Sequence, residues 1–269
     1  MAKISSVVIT KDEESNIREC LESLRFTDEI IIIDAGSTDK TLEIAKEYTD
    51  KIYNNRFEGW VRQKNFGIEK AQHNWILSID ADERISLELK NEILRIKERL
   101  NDEIAGYEVP ILPYYMGRWI RHSNWYPGYK VRLFNKKFCR WDGDFSHEFV
   151  KVNGMTARLK SNILHLAFID FDKHLNKMGY YTTYSAIELS KKGIKFSVTQ
   201  LICRTIYSFI KHYLIKRGFL DGIQGLVISY VSAFSVFAKY VKLYELNKYQ
   251  AVSEENKDDK KDESINLSY

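Results

Sequence analysis

The sequence predicts an α/β fold, a mostly parallel sheet flanked by helices, followed by an antiparallel extension and a helical C-terminal region. Three observations predict it. Through the first hundred residues, apolar runs of strand length alternate with stretches of helical period. All three prolines, Pro110, Pro113 and Pro127, fall within residues 104–165, where strand-like segments follow one another across turns. From Asp170 the pattern is helical.

Val7-Val8-Ile9 reads as a buried strand, and Asp12 to Ser15 offer caps for a helix carrying Ile17, Cys20, Leu21 and Leu24. Glu29 to Ile33 is a second strand, ending in Asp34-Ala35-Gly36-Ser37-Thr38-Asp39. Gly36 permits a tight turn there, and Ser37, Thr38 or Asp39 can cap the helix through Leu42, Ala45 and Tyr48. Lys51 to Asn54 is a short strand, Val61 to Ala71 a helix, Trp75 to Ile79 a strand and Glu88 to Leu100 an amphipathic helix. Tyr107-Glu108-Val109, Lys130 to Phe134 and Glu148 to Val152 read as strands extending the same sheet in antiparallel fashion. Ligands of such sheets bind outside the carboxyl ends of the strands. Asp34 and Asp80 both sit at such ends, which predicts one shared cleft.

With 44% hydrophobic and 29% charged residues, 269 residues can bury a sizeable core. Three widely spaced cysteines without a CxxC pair exclude a disulfide framework. The N-terminal apolar run is too short for a signal peptide, and the expected setting is cytoplasmic. The net charge of +4 is unevenly spread: residues 191–248 carry ten Lys/Arg against Asp221 and Glu245. Residues 222–238 carry no charge at all, a length at the lower edge of the roughly 17–25 that span a bilayer. A polar stripe of Ser229, Ser232 and Ser235, with Lys239 and Lys242 beyond, favours a helix lying in the interface on the inner leaflet of the cytoplasmic membrane. The cations sit among aromatics instead of following a groove pattern, which argues against nucleic acid. The expected organisation is a catalytic α/β domain at 1–168, a helical membrane-associating region at 169–250 and a disordered charged tail at 251–269.

Asp80 and Asp82 straddle Ala81 on the loop leaving a buried strand. Two carboxylates so placed can bridge Mn²⁺ or Mg²⁺ to a diphosphate. Asp34 can accept from a base N–H or a ribose hydroxyl, or can simply cap its own turn. Arg62, Gln63 and Lys64 open a helix whose N-terminus can bind phosphate. Asp144 and Glu148 are both candidates for deprotonating an attacking hydroxyl, with His147 orienting the carboxylate or binding the acceptor. His165, in Ile163-Leu164-His165-Leu166, is either a core histidine or a further metal ligand.

Ser6-Val7-Val8-Ile9-Thr10-Lys11-Asp12-Glu13-Glu14, Ile33-Asp34-Ala35-Gly36-Ser37-Thr38-Asp39 and Ser78-Ile79-Asp80-Ala81-Asp82-Glu83 together resemble family 2 glycosyltransferases of the GT-A fold, a Rossmann-like nucleotide-diphospho-sugar transferase architecture. Lys130-Val131-Arg132-Leu133-Phe134 and His147-Glu148 resemble the subgroup that adds glucose to the inner core of bacterial lipopolysaccharide. The resemblance implies inverting transfer of a hexose from a nucleotide sugar, UDP-linked, to a glycan or glycolipid hydroxyl. It implies that Thr10 and Glu14 line the nucleotide pocket, Asp34 contacts the base or ribose, and Lys64 lies near the diphosphate. It gives Asp82 the direct metal contact, Asp80 the ribose or metal-bound water, and His165 a further metal bond. Glu148 becomes the preferred base, and Arg132 and His147 fall on the acceptor side. Gly128 stands where the family pattern has an acidic residue. Two rivals are a sugar-phosphate nucleotidyltransferase and a non-catalytic, membrane-associated binding protein of the same fold. The glycine-free loop Thr10 to Glu14 counts against the first, and intact Asp80, Asp82 and Glu148 count against the second.

Overall fold

Strands buried on both faces read as unbroken apolar runs, and β1 (Ile4–Thr10) and β2 (Glu29–Asp34) are buried at every residue. The computed structural model describes residues 2–101, 103–143, 148–168 and 171–265, with backbone alone at 167, 168 and 250–265. β3 (Ile52–Asn54) and β4 (Trp75–Asp80) complete a parallel set in the order β3-β2-β1-β4. α1 (Ile17–Leu24), α2 (Thr41–Ala45) and α3 (Trp60–Lys70) connect these strands. α1 buries Ile17, Cys20, Leu21 and Leu24, the spacing of one helical face.

The chain continues through β5 (Glu83–Ile85), α4 (Leu87–Lys97), β6 (Ile104–Tyr115), β7 (Arg118–Trp119), β8 (Gly128–Asn135), β9 (Cys139–Gly143), β10 (Glu148–Val152), β11 (Met155–Arg158) and β12 (Ile163–Phe168). β8 joins β4 antiparallel, and the sheet runs on as β8-β6-β12-β5, with β7 and β11 also paired to β6. The alternation of a strand sends Ile4 and Val8 to one face, with Leu21 and Leu89, and Val7 and Ile9 to the other, with Ile68 and Trp141.

Two sequence expectations for the α/β part change. Glu148 to Val152 does not extend the main sheet. β10 pairs with β9 in a separate two-stranded ribbon, because Trp141 and Val150 belong to the core cluster on the α3 face. Asp12 does not cap α1, whose N-cap residue is Asn16. The Asp12 carboxylate instead accepts from the Thr38 N–H at 2.8 Å, fastening the loop after β1 to the loop after β2.

The contacts divide the chain into two units, residues 1–121 with 125–169, and 122–124 with 170–269. The second holds α5 (Phe171–Lys191), α6 (Val198–Ile210), a π-helical turn (Lys211–Ile215), a 3-10 turn (Gly218–Asp221) and α7 (Gly222–Ile265). Ala186, Tyr240 and Leu243 form its core. The Lys242 ammonium donates to the Gly179 carbonyl at 2.8 Å and to Thr182 and Thr183, tying α7 to α5 instead of facing a membrane as the sequence suggests. The α7 backbone is helical to Ile265. Residues 266–269 lie outside the described residues.

Gly67 lets α3 approach the sheet. A Cβ there would collide with Val7 Cγ1 and meet Ile33 Cγ1 at 2.9 Å. Alanine is ordinarily the better helix former by about 1 kcal/mol, but overpacking a close contact costs about 1–3 kcal/mol. Gly67→Ala should therefore lower the urea midpoint; an unchanged or raised midpoint would show that α3 has room to move.

Candidate active site

The register aligns the carboxyl ends of the parallel strands: Thr10 pairs with Asp34, Asp34 with Asn54, and Ile9 with Asp80. Thr10, Asp34 and Asp80 therefore share one edge of the sheet. Asp34 is fully buried and accepts from the Gly36 and Ser37 backbone N–H groups at 2.9 and 3.0 Å. Gly36 has φ +88°, which the turn requires. Glu14 is exposed, and its carboxylate accepts from the Lys40 N–H at 3.1 Å on the neighbouring loop.

A ladder of alternating charge runs behind this edge. The Lys64 ammonium lies 2.6 Å from Glu148 Oε1 and 3.1 Å from Asp80 Oδ1. Arg132 reaches Asp80 Oδ2 at 3.1 Å and Glu83 Oε1 at 2.6 Å. The second Glu83 oxygen accepts from the Asp80 N–H at 3.0 Å. The Lys64 and Arg132 side chains are each 2% exposed, and Glu83 is 1% exposed. The indole of Trp141 lies under both cations, 4.2 Å from Lys64 Nζ and 5.9 Å from the Arg132 guanidinium carbon. Asn65 binds the Trp141 backbone through N and O, at 3.1 and 2.9 Å, and so holds β9 to α3.

This electrostatic setting fixes protonation. Burial works against the Asp80 carboxylate, but Lys64 and Arg132 outweigh it and hold Asp80 far below the usual carboxylate range. Burial pushes Glu83 upward, and the charges of Asp80 and Asp82 add to that against the pull of Arg132. Burial opposes the charge on Arg132, yet Glu83 and Asp80 keep it cationic.

Asp82 and His165 form a second, more open pair, with Asp82 Oδ2 3.2 Å from His165 Nε2. Their side chains are 29% and 25% exposed. Antiparallel pairing of β12 with β5 sets His165 opposite Glu83, next to Asp82 in the chain. Burial alone would lower the His165 pKa, but the Asp82 hydrogen bond and the neighbouring carboxylates raise it.

The structure thus gathers Lys64, Asp80, Arg132 and Glu148 in one cluster, with Asp82 and His165 beside it. It does not leave Arg132 open to an acceptor: the residue is buried as the counter-ion of Asp80 and Glu83. Asp144 and His147 lie outside the described residues. Sequence reasoning missed the structural part of Glu83 and all of Trp141. A charge inside the run Val131-Arg132-Leu133-Phe134 was the available signal for a buried ion pair.

Residues 5–162 match glycosyl transferase family 2. An uncharacterised glycosyltransferase of Rickettsia typhi is 35% identical over 259 residues, covering 92% of this chain and 88% of that protein. A lipopolysaccharide core biosynthesis glycosyltransferase of Rhizobium meliloti is 28% identical over 255 residues, covering 92% and 94%. A mannosyltransferase of Pyrobaculum calidifontis, solved in complex with GDP-Man and Mn²⁺, superposes with a TM-score of 0.52 at 10% identity over 90% of this chain and 86% of that one. The mixed sheet with its helical cover is that of the GT-A fold, and the chain belongs to glycosyl transferase family 2 and is a glycosyltransferase.

Proposed function

We propose that this glycosyltransferase moves a hexose from a nucleotide sugar, UDP-linked, to a hydroxyl of a cell-surface glycan or glycolipid of the lipopolysaccharide-core type, with inversion, at the cytoplasmic face of the membrane. One observation carries the reading. Glu148, from the ribbon outside the main sheet, reaches the strand end of Asp80 through the shared Lys64 ammonium. A second carboxylate thereby sits in the same cluster as the strand-end carboxylate of a candidate nucleotide site.

Five polar atoms at or near this cluster, Thr10 Oγ1, Asp80 Oδ1, Arg132 Nε, Trp141 Nε1 and Glu148 Oε2, are buried with no hydrogen-bond partner among the described residues, Asp80 Oδ1 being in ion-pair contact with Lys64. Buried polar atoms ordinarily have partners, and a bound sugar nucleotide and acceptor supply hydroxyl and phosphate oxygens. Thr10 and Asp34, at adjacent strand ends, suit the nucleoside side. Glu148 receives the proton of the attacking acceptor hydroxyl as that oxygen bonds to the anomeric carbon on the face opposite the departing diphosphate. Lys64, fixed between Asp80 and Glu148, supplies positive charge where the diphosphate departs.

The donor set fits a divalent cation. Asp82 contributes a carboxylate oxygen and His165 an imidazole nitrogen, both partly exposed and already convergent, whereas the oxygens of Asp80 are occupied by Lys64 and Arg132. Asp82 and His165 would hold Mn²⁺ or Mg²⁺, with diphosphate oxygens completing the shell. Such an ion supplies Lewis-acid stabilisation of the leaving diphosphate.

Asp82→Ala should abolish metal-dependent transfer in a radiolabelled-sugar assay; turnover at the wild-type rate with its metal dependence intact would remove Asp82 from the site. Glu148→Gln should keep UDP binding and lose transfer by about 10²–10⁴-fold. If Glu148→Gln transfers normally and Asp144→Asn does not, the base is Asp144.

A further inference from the structure

We infer that the outward face of α6 is a monotopic docking surface for an anionic lipid bilayer, which the protein enters without spanning it. The inference rests on the membrane-side acceptor proposed above. Val198, Ile202, Ile206 and Ile210, four apart and so on one face of α6, are 58%, 52%, 56% and 39% exposed. Leu214 and Phe219 continue the exposed apolar surface past its end.

Charge identifies what covers this face. Lys192 and Lys195 precede α6, and Lys216 and Arg217 follow it, all exposed. Of the two acids in residues 191–248, Asp221 is 1% exposed and bonded to His122, leaving Glu245 as the exposed one. An apolar helical face with cations at both ends is what an anionic headgroup layer attracts. A second copy of the chain would set these cations against their equivalents, which opposes self-association.

The polarity of α7 agrees. Ser229, expected on a polar outer stripe, is fully buried and donates to the Gly225 carbonyl at 2.7 Å. Tyr230, Phe234 and Phe237 are exposed instead. Ser229 inward with Tyr230, Phe234 and Phe237 outward departs from the arrangement of a water-facing helix. By length and composition, Gly218–Tyr249 can cross a membrane. It is nevertheless committed to its own unit, since Ile228, Val231, Tyr240 and Leu243 are buried and Lys242 is bonded to α5. α6 with the π-helical turn that continues it runs from Val198 to Ile215, about 27 Å, short of the roughly 30 Å hydrocarbon core, and carries the charges of Arg204 and Lys211. It can lie in the interface but cannot span it.

The test is flotation of the full chain with vesicles of phosphatidylcholine alone or mixed with phosphatidylglycerol. The wild type should bind the mixed vesicles more tightly. Ile206→Glu with Ile210→Glu should weaken that binding by more than about 10-fold while keeping metal-dependent donor hydrolysis and the thermal midpoint. Undiminished binding by this variant would overturn the inference, as would a wild-type dimer in light scattering that the variant dissolves. If the variant melts early, Ile206→Trp replaces it: quenching by brominated acyl chains supports insertion, and its absence overturns it. Vesicle binding that follows the α6 substitutions in a protein unable to hydrolyse any sugar nucleotide would support docking while defeating the transfer reading.

Discussion

Arg132 between Asp80 and Glu83 is the interaction on which the site depends. Each of these charges loses several kcal/mol of hydration on burial, and a close pair regains about 4 kcal/mol at an effective dielectric near 20. The balance holds only because the charges alternate. Glu83 and Asp80 face Arg132, Asp80 and Glu148 face Lys64, and Trp141 lies beneath both cations. Five elements meet in that ladder: α3, β4, β5, β8 and the β9–β10 ribbon. The ladder therefore links the strand carrying Asp80 to the ribbon carrying Glu148.

The same pairing separates the jobs of two carboxylates one residue apart. The oxygens of Asp80 are ion-paired with Lys64 and Arg132. Asp82, past the strand end, is freer and meets His165 from β12. Counter-ions, not residue type or exposure, divide the pair into a structural anchor and a candidate metal ligand.

Sequence alone made the parallel core legible because buried strands such as Ile30 to Ile33 are continuous apolar runs and the turns after them carry glycine and caps. Asp34 and Asp80 were legible as strand-end carboxylates for the same reason. Arg132 was not, because its partners lie 49 and 52 residues away and no local pattern encodes that pairing. The Glu14 carboxylate accepts from the Lys40 N–H on the adjacent loop, a long-range contact that follows from the parallel register and that no local pattern encodes. The helical unit misled differently. The serine stripe suggests an outer polar face, whereas in α7 Ser229 packs inward and Tyr230, Phe234 and Phe237 face out.

The central claim is that this strand edge binds a nucleotide diphosphate through a cation held by Asp82 and His165. Calorimetric titration of the purified chain with UDP, in Mn²⁺ and in excess chelator, tests it most directly. Binding in Mn²⁺ that disappears with chelator is the expected result. Equal binding in both conditions, or none in either, would contradict the claim.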